Sequence, residues 1–388
     1  MNGERDAAEL GALLARAGVA VGGTRPWDIR VSHAGFFSRV LAGGSLAAGE
    51  AYAEGWWEAD RLDEFFHRVF KAGLDGRLAP SPWSGARGLL ARLLALGSRG
   101  TAGPDAGSGG EPGGEILRAM LGPTMSFSSG YWTDARGLDE AAEGAMELAC
   151  RKLELKPGMS VLDLGCGWGA FARHAARTRG VSVVGIDIAS ERIDAGRELC
   201  KGLAVALRVQ DHAEIRGRFD RVVSLGLLDQ LGPDGCGSVM AAAARCLKAD
   251  GVALVQAAAR NAPPARRDPW LERFGFSGGA APSLSRLLQA AEGHFVVEDV
   301  HNLGPHYDRT LMSWHDNLER GWPGGRDGSG ERLRRTLKYS LLAAAGSFRA
   351  RRSQLFQIVM SRPGRAQPRC RPESAPAREA RMAVQARP

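Results

Sequence analysis

Three carboxylates and a set of glycines stand at the ends of apolar runs in the middle of the chain. The stretch "VLDLGCGWGAFA" carries Asp163 and then Gly165, Gly167 and Gly169; "VSVVGIDI" contains Asp187; "ALRVQD" ends at Asp211, followed by His212. Glycines let a backbone approach a ligand closely, and a helix beginning after them offers free N–H groups and a partial positive charge. An acid about twenty positions after such a turn is placed to accept hydrogen bonds from ribose hydroxyls. The spacing leaves the ligand open, since Gly165, Gly167 and Ala170 also satisfy the relaxed dinucleotide pattern. Asp163, beside the first turn, would repel a pyrophosphate and attract a cation. With the pair Gln210-Asp211 it favours S-adenosyl-L-methionine, whose sulfonium and ammonium are positive, and His212 is placed for an adenine contact. Any one of these aspartates could equally cap a helix.

The runs that carry these residues read as buried strands, "SVLDLGCG", "VSVVGIDI", "ALRVQD", "FDRVVSLGLL" and "GVALVQAAA", with helical stretches between them. Such alternation predicts an α/β fold with a Rossmann-like, doubly wound, mostly parallel sheet, whose ligands bind beyond the strand carboxyl ends. Upstream, "FFSRVLAGGSLAAGEAYAEGWWEADRLDEFFHRVF" repeats apolar and aromatic residues at helical spacing, which predicts a smaller, mainly helical domain. Phe36, Phe37, Trp56, Trp57, Phe65 and Phe66 are expected in its core, although such a stripe could also face lipid. Composition divides the chain into a helical domain over 1–98, a Gly/Pro-rich linker over 99–115, the sheet domain over 116–363 and a disordered basic tail over 364–388.

The 388 residues carry a formal charge of +8, which leaves the surface attractive to anionic partners. Nucleic acid is disfavoured as that partner, because no basic patch interleaved with aromatics marks a strand-binding groove. Six scattered cysteines without metal-ligand spacing point to no metal site and to a reducing compartment. The N-terminal sequence lacks the pattern of a secretory signal, and no apolar run reaches spanning length, so the expectation is a cytoplasmic protein whose membrane contact is peripheral.

The ordered set "GGSLAAGEAY", "GWWEADRLDEFF", "FSSGYW", "LKPGMSVLDLGCGWGAFA", "FDRVVSLGLLDQLGP", "DPWLERFGF", "HFVVEDVHNLGPHYDRTLMSW" and "FRARRSQLFQIVMSR" resembles the cyclopropane-fatty-acyl-phospholipid synthase family. The resemblance runs from about Gly22 to Arg362. It implies a methylene transfer from S-adenosylmethionine to a cis double bond of unsaturated phospholipid acyl chains, at the anionic inner membrane surface, and it allows a homodimer. It also implies that Ser128 lies near the cofactor. A fatty-acyl C-methyltransferase giving a branched product, or a lipid- or cofactor-binding homologue without turnover, are the other functions the same residues allow.

The resemblance implies further that the reaction's proton leaves to a bound bicarbonate, held by a cysteine, a glutamate, a histidine, a backbone contact and a tyrosine. This chain departs there. Ser129 replaces the cysteine, Asp229 the glutamate and Gln256 the histidine; Ala258 stands at the backbone contact, and Tyr307 is retained. Asp229 keeps the charge but retracts it by one methylene, roughly 1.5 Å, enough to slow an oriented reaction. Gln256 can donate a hydrogen bond but carries no positive charge, so bicarbonate is expected to be held less tightly. Ser129, Asp229, Gln256 and Tyr307 are expected around the reaction centre.

Overall fold

The computed structural model describes residues 2–74, 114–261, 268–270, 281–323 and 328–370. The start comprises α1 (Asn2–Ala15), β1 (Arg30–Val31), α2 (Phe36–Ala53), β2 (Trp57–Glu58) and α3 (Leu62–Lys71), with β1 and β2 pairing antiparallel. Phe36, Phe65 and Phe66 on helical faces and Trp57 on β2 are buried as expected. Phe37 and Trp56 are only partly covered. Trp56 lies at the rim, stacked on His33 with ring centroids 3.8 Å apart and under the Arg39 guanidinium at 4.5 Å.

After α4 (Gly114–Leu121) and α5 (Leu138–Lys152) the chain alternates strand and helix: β3 (Ser160–Leu164), α6 (Ala170–Arg179), β4 (Ser182–Asp187), α7 (Ser190–Leu199), β5 (Val205–Val209), β6 (Phe219–Ser224), α8 (Leu227–Cys246) and β7 (Leu247–Arg260). Then follow α9 (Leu284–Ala291), β8 (Val296–Asn302), α10 (Gly304–Gly321), α11 (Gly328–Arg349) and β9 (Ser353–Ser361). The strands form one sheet in the order β5-β4-β3-β6-β7-β9-β8. The pairs from β5 through β7 are parallel, and β9 runs antiparallel to both its neighbours.

Alternation along the strands feeds two cores. Leu162, Leu164 and Val222 pack on one face with Val239 and Met240 of α8 and Leu287 of α9. Val161 and Val223 pack on the other with Ala149 of α5 and Phe171 and Ala172 of α6. Covered on both faces, the central strands are apolar along most of their length, as parallel strands require. Chain order reverses between β3 and β6, and a crevice opens there beyond the strand carboxyl ends.

The N-terminal helices share a core with α11. Tyr339 of α11 meets the rings of Tyr52, Trp57, Phe66 and Trp270, at centroid distances of 5.4, 6.2, 4.9 and 4.6 Å. At the edge of this contact Arg349 Nη1 donates to Asp63 Oδ2 at 2.6 Å, and Arg335 pairs with Glu58. The expected domain boundary near residue 98 lies outside the described residues, as do most of the linker and the tail from 371. Two edges of those segments are ordered. Gly114 and Glu115, expected in the linker, begin α4. The first residues of the expected disordered tail pack on the sheet domain, because Arg365 finds the Asp250 carbonyl at 2.8 Å and Glu154 at 3.1 Å and Cys370 is buried.

Candidate functional site

The turn after β3 is built from left-handed backbone, with φ of 75° at Gly165, 53° at Gly167 and 72° at Gly169. The three glycines do different work. A Cβ at Gly165 would stand 2.7 Å from Leu227 Cβ, and one at Gly169 would stand 2.9 Å from Leu207 Cδ1, so both admit close packing of neighbouring elements. A Cβ at Gly167 would meet nothing within 4 Å. Gly167 therefore faces open space, and it lines the crevice. Its N–H donates to Asp187 Oδ2 at 3.1 Å, while Asp187 Oδ1 accepts from Ala189 N–H at 3.0 Å. Asp187 thus ties the glycine turn to the start of α7, and Arg192 Nη1 approaches it at 3.5 Å.

Asp163 sits one residue before the end of β3, only 2 % exposed, with its side chain on the crevice wall. Among the described residues its carboxylate accepts no hydrogen bond. Burial, reinforced by the neighbouring Asp187 charge, pushes its carboxyl up to about 7. A cation arriving in the crevice would relieve both the burial and the repulsion.

The opposite wall comes from the segment after α4, from the start of α8 and from α10. Gly232, at φ 67°, breaks α8 after one turn and a half, leaving Leu227–Leu231 as a short separate piece. That piece presents Asp229 to the crevice, facing Tyr307 of α10. Asp229 Oδ1 accepts from Ala258 N–H at 2.7 Å. Protein crowds both side chains closely: desolvation pushes the Asp229 carboxyl up to about 7, and desolvation with the nearby Asp229 charge raises the Tyr307 hydroxyl. Gln256 and Ser129 lie behind this wall, 4 % and 2 % exposed. Gln256 Nε2 donates to Ser128 Oγ at 2.7 Å and its Oε1 accepts from Gln357 Nε2 at 2.9 Å; Ser129 Oγ donates to Gly130 O at 2.9 Å.

The crevice brings together Ser128, Asp163, Gly165, Gly167, Asp229 and Tyr307 of the expected residues. Gly169, Asp187, Ser129 and Gln256 support it from behind. Asp211 and His212 stand farther out, beyond β5: Asp211 Oδ1 accepts from Ala213 N–H at 2.7 Å, and His212 Nε2 lies 2.9 Å from Ser238 Oγ. Sequence reading missed Phe127, Trp168 and Arg192, which also line the crevice. Phe127 stacks on Trp314 with centroids 5.2 Å apart, and Tyr307 meets Trp314 edge-on at 6.0 Å. Phe127 and Trp168 lie inside the quoted motifs, so the signal was present; Arg192 becomes visible only when α7 folds back beside Asp187.

The two implied small molecules fare differently. An open glycine, an unsatisfied buried carboxylate and aromatic walls suit a cationic nucleoside such as S-adenosylmethionine. Bicarbonate does not fit. The Ser129 hydroxyl and the Ala258 N–H that would hold it are committed to protein acceptors, the Gln256 amide is uncharged and already donates to Ser128 Oγ, and the Asp229 carboxylate would repel it.

The sequence profile described as mycolic acid cyclopropane synthetase matches residues 112–358. A cyclopropane-fatty-acyl-phospholipid synthase of Escherichia coli (strain K12) is 42 % identical over 350 residues, covering 90 % of this chain and 92 % of that one. The solved structure of mycolic acid cyclopropane synthase CmaA1 complexed with SAH and CTAB is 27 % identical, with a TM-score of 0.59 over 63 % of this chain and 93 % of that one. Coclaurine N-methyltransferase, at 18 % identity and a TM-score of 0.62 over 81 % of this chain and 98 % of that one, shares the fold. The sheet order, the glycine turn and the length of the match agree, and the chain belongs to the mycolic acid cyclopropane synthetase family.

Proposed function

We propose that this protein is an S-adenosylmethionine-dependent enzyme that adds a methylene across a cis double bond of phospholipid acyl chains. The observation that carries the reading is Asp163: a buried carboxylate with no hydrogen-bond donor among the described residues, beside an open glycine, in a crevice walled by aromatic rings. When bound, S-adenosylmethionine supplies an electrophilic methyl group. Asp163 holds the positive end of the cofactor, Gly167 admits its backbone-facing edge, Asp187 fixes the turn, and Ser128 closes the crevice opposite. Asp211 and His212 bound the outer edge of the site. Phe127, Trp168 and Tyr307 exclude water and present π faces to positive charge developing on the acyl chain.

The lipid reading is supported by the family and by a net charge of +8, which favours anionic headgroups. Among the described residues no helix is long and apolar enough to cross a membrane. We assign the protein a peripheral position on the inner membrane surface. The test is incubation of the purified chain with methyl-labelled S-adenosylmethionine and vesicles of unsaturated phosphatidylethanolamine and phosphatidylglycerol, followed by mass spectrometry of the acyl chains. Label in a cyclopropane is the expected result. Label in a branched chain would replace this reading with a C-methyltransferase, and cofactor binding without transfer would remove the enzyme altogether.

A further inference from the structure

The wall that carries Asp229 ties much of its hydrogen bonding to itself. Gln256 bridges Ser128 and Gln357, Ser129 turns to the Gly130 carbonyl, and Ala258 N–H is taken by Asp229 Oδ1. Among the described residues Asp229 Oδ2 accepts no hydrogen bond. It belongs to a side chain that lines the same crevice as Asp163 and faces Tyr307. A base is needed wherever a carbocation must lose a proton, and the group present at this wall is a carboxylate.

We propose that Asp229 is itself the proton acceptor of the reaction, so that no external anion is required. The inference rests on the methylene-transfer reading above. Once the methyl group has joined one carbon of the double bond, the neighbouring carbon is cationic. A C–H bond of the new methyl breaks, its electron pair closes the second C–C bond of the three-membered ring, and the proton passes to Asp229 Oδ2. The carboxylate becomes a carboxylic acid and later returns the proton to water through the crevice mouth. Ala258 N–H holds Oδ1 and so fixes the orientation of the receiving oxygen. An acid pushed up to about 7 by burial binds a proton well enough to take it and releases it near neutral pH. Tyr307 is the titratable group facing it, and Asp163 and Arg192 share the crevice.

The test uses the full chain, labelled S-adenosylmethionine and the same vesicles, in buffer freed of dissolved carbon dioxide and again with bicarbonate restored. The wild type is expected to form cyclopropane at rates equal within about twofold in the two buffers, against the hundredfold or more that a positioned base contributes. Asp229→Asn keeps an acceptor for Ala258 N–H but removes the base. It should lose about 100-fold in cyclopropane formation, with cofactor affinity unchanged in calorimetry. Asp229→Glu should recover part of the rate. With S-adenosylmethionine saturating, so that Asp163 is already engaged, the rise of kcat through neutral pH should vanish in Asp229→Asn. A wild-type rate that collapses without bicarbonate and returns with it overturns this inference and leaves methylene transfer standing; this arm needs no variant to fold. Undiminished cyclopropane formation by Asp229→Asn also overturns it. Failure of the wild type to label any acyl chain in either buffer overturns the methylene-transfer reading itself.

Discussion

The two walls of the crevice are built on opposite principles. On the Asp163 wall the backbone carries the design: left-handed glycines shape the turn, and the Asp163 carboxylate accepts no hydrogen bond among the described residues. On the Asp229 wall side chains carry it, in a closed set of contacts joining Ser128, Gln256 and Gln357, with Ala258 bound to Asp229 beside them. A wall that must receive a foreign cation keeps its electrostatics unsatisfied until the ligand arrives. A wall that must hold one carboxylate still ties that carboxylate and its neighbours into protein contacts. The difference separates a half of the site shaped to receive a ligand from a half shaped to hold a side chain.

The largest effect expected from breaking this contrast is at Gly165. Gly165→Ala places a methyl 2.7 Å from Leu227 Cβ on a left-handed backbone and should destabilise the protein by about 2–5 kcal/mol in urea unfolding. Gly167→Ala carries the backbone strain alone, about 1–2 kcal/mol, and should act on cofactor affinity more than on folding. Equal losses for the two would erase the distinction between packing and ligand-facing glycines.

Next comes Asp163→Asn, which should weaken S-adenosylmethionine binding by about 10- to 100-fold in calorimetry. Because the cation needs the ionised carboxyl, and that carboxyl sits at about 7, wild-type affinity should tighten as pH rises through neutrality and then level off. The variant should show a flat profile across the same range. Affinity that is indifferent to pH in the wild type would remove Asp163 from cation binding.

A smaller effect appears in the unliganded protein. Burial pushes the Asp163 and Asp229 carboxyls up to about 7 in the folded protein, above the ordinary carboxyl value of 3.8. The folded state therefore binds protons more tightly than the unfolded one, and stability is full below about 4 and declines as pH rises toward 7. The Asp163→Asn, Asp229→Asn double variant should melt about 3 °C or more above wild type at pH 8, and the gap should close in acid. A gap that persists unchanged into acid would mean that neither carboxyl bears a burial cost.

The smallest is Gln256→Met, which leaves Gln357 Nε2 without its acceptor at a cost of about 1–2 kcal/mol. Thermal melting should register the loss while cofactor affinity stays within about twofold. A large fall in affinity would show that the two walls are coupled.

What could be read from sequence was what is local. The glycine turn, Asp163 and Asp187 lie within one strand-turn-helix-strand unit, where periodicity and spacing determine position. The sheet class followed from the same alternation. The aromatic stripe placed Phe36, Phe65 and Phe66 correctly because a helix repeats its buried face, while Trp57 is buried from the short strand β2. By contrast, the union of Gln256 with Gln357 depends on β9 inserting antiparallel beside β7, a register that brings together residues 101 apart. Asp211 and His212 were placed on the right strand end, but strand order sets them two strands from β3. Arg365 and Cys370 sit in a stretch whose composition reads as solvated; a single carboxylate, Glu154, and a backbone carbonyl are enough to hold its beginning.

Tyr339 sets a practical rule for anyone dividing this molecule. Its ring is met by three rings from the N-terminal segment, those of Tyr52, Trp57 and Phe66, and by one, Trp270, from far along the chain. Severing the polypeptide between positions 75 and 113 would yield fragments with complementary oily scars. Made separately, each should clump; made together in one cell, they should reassemble around that phenol.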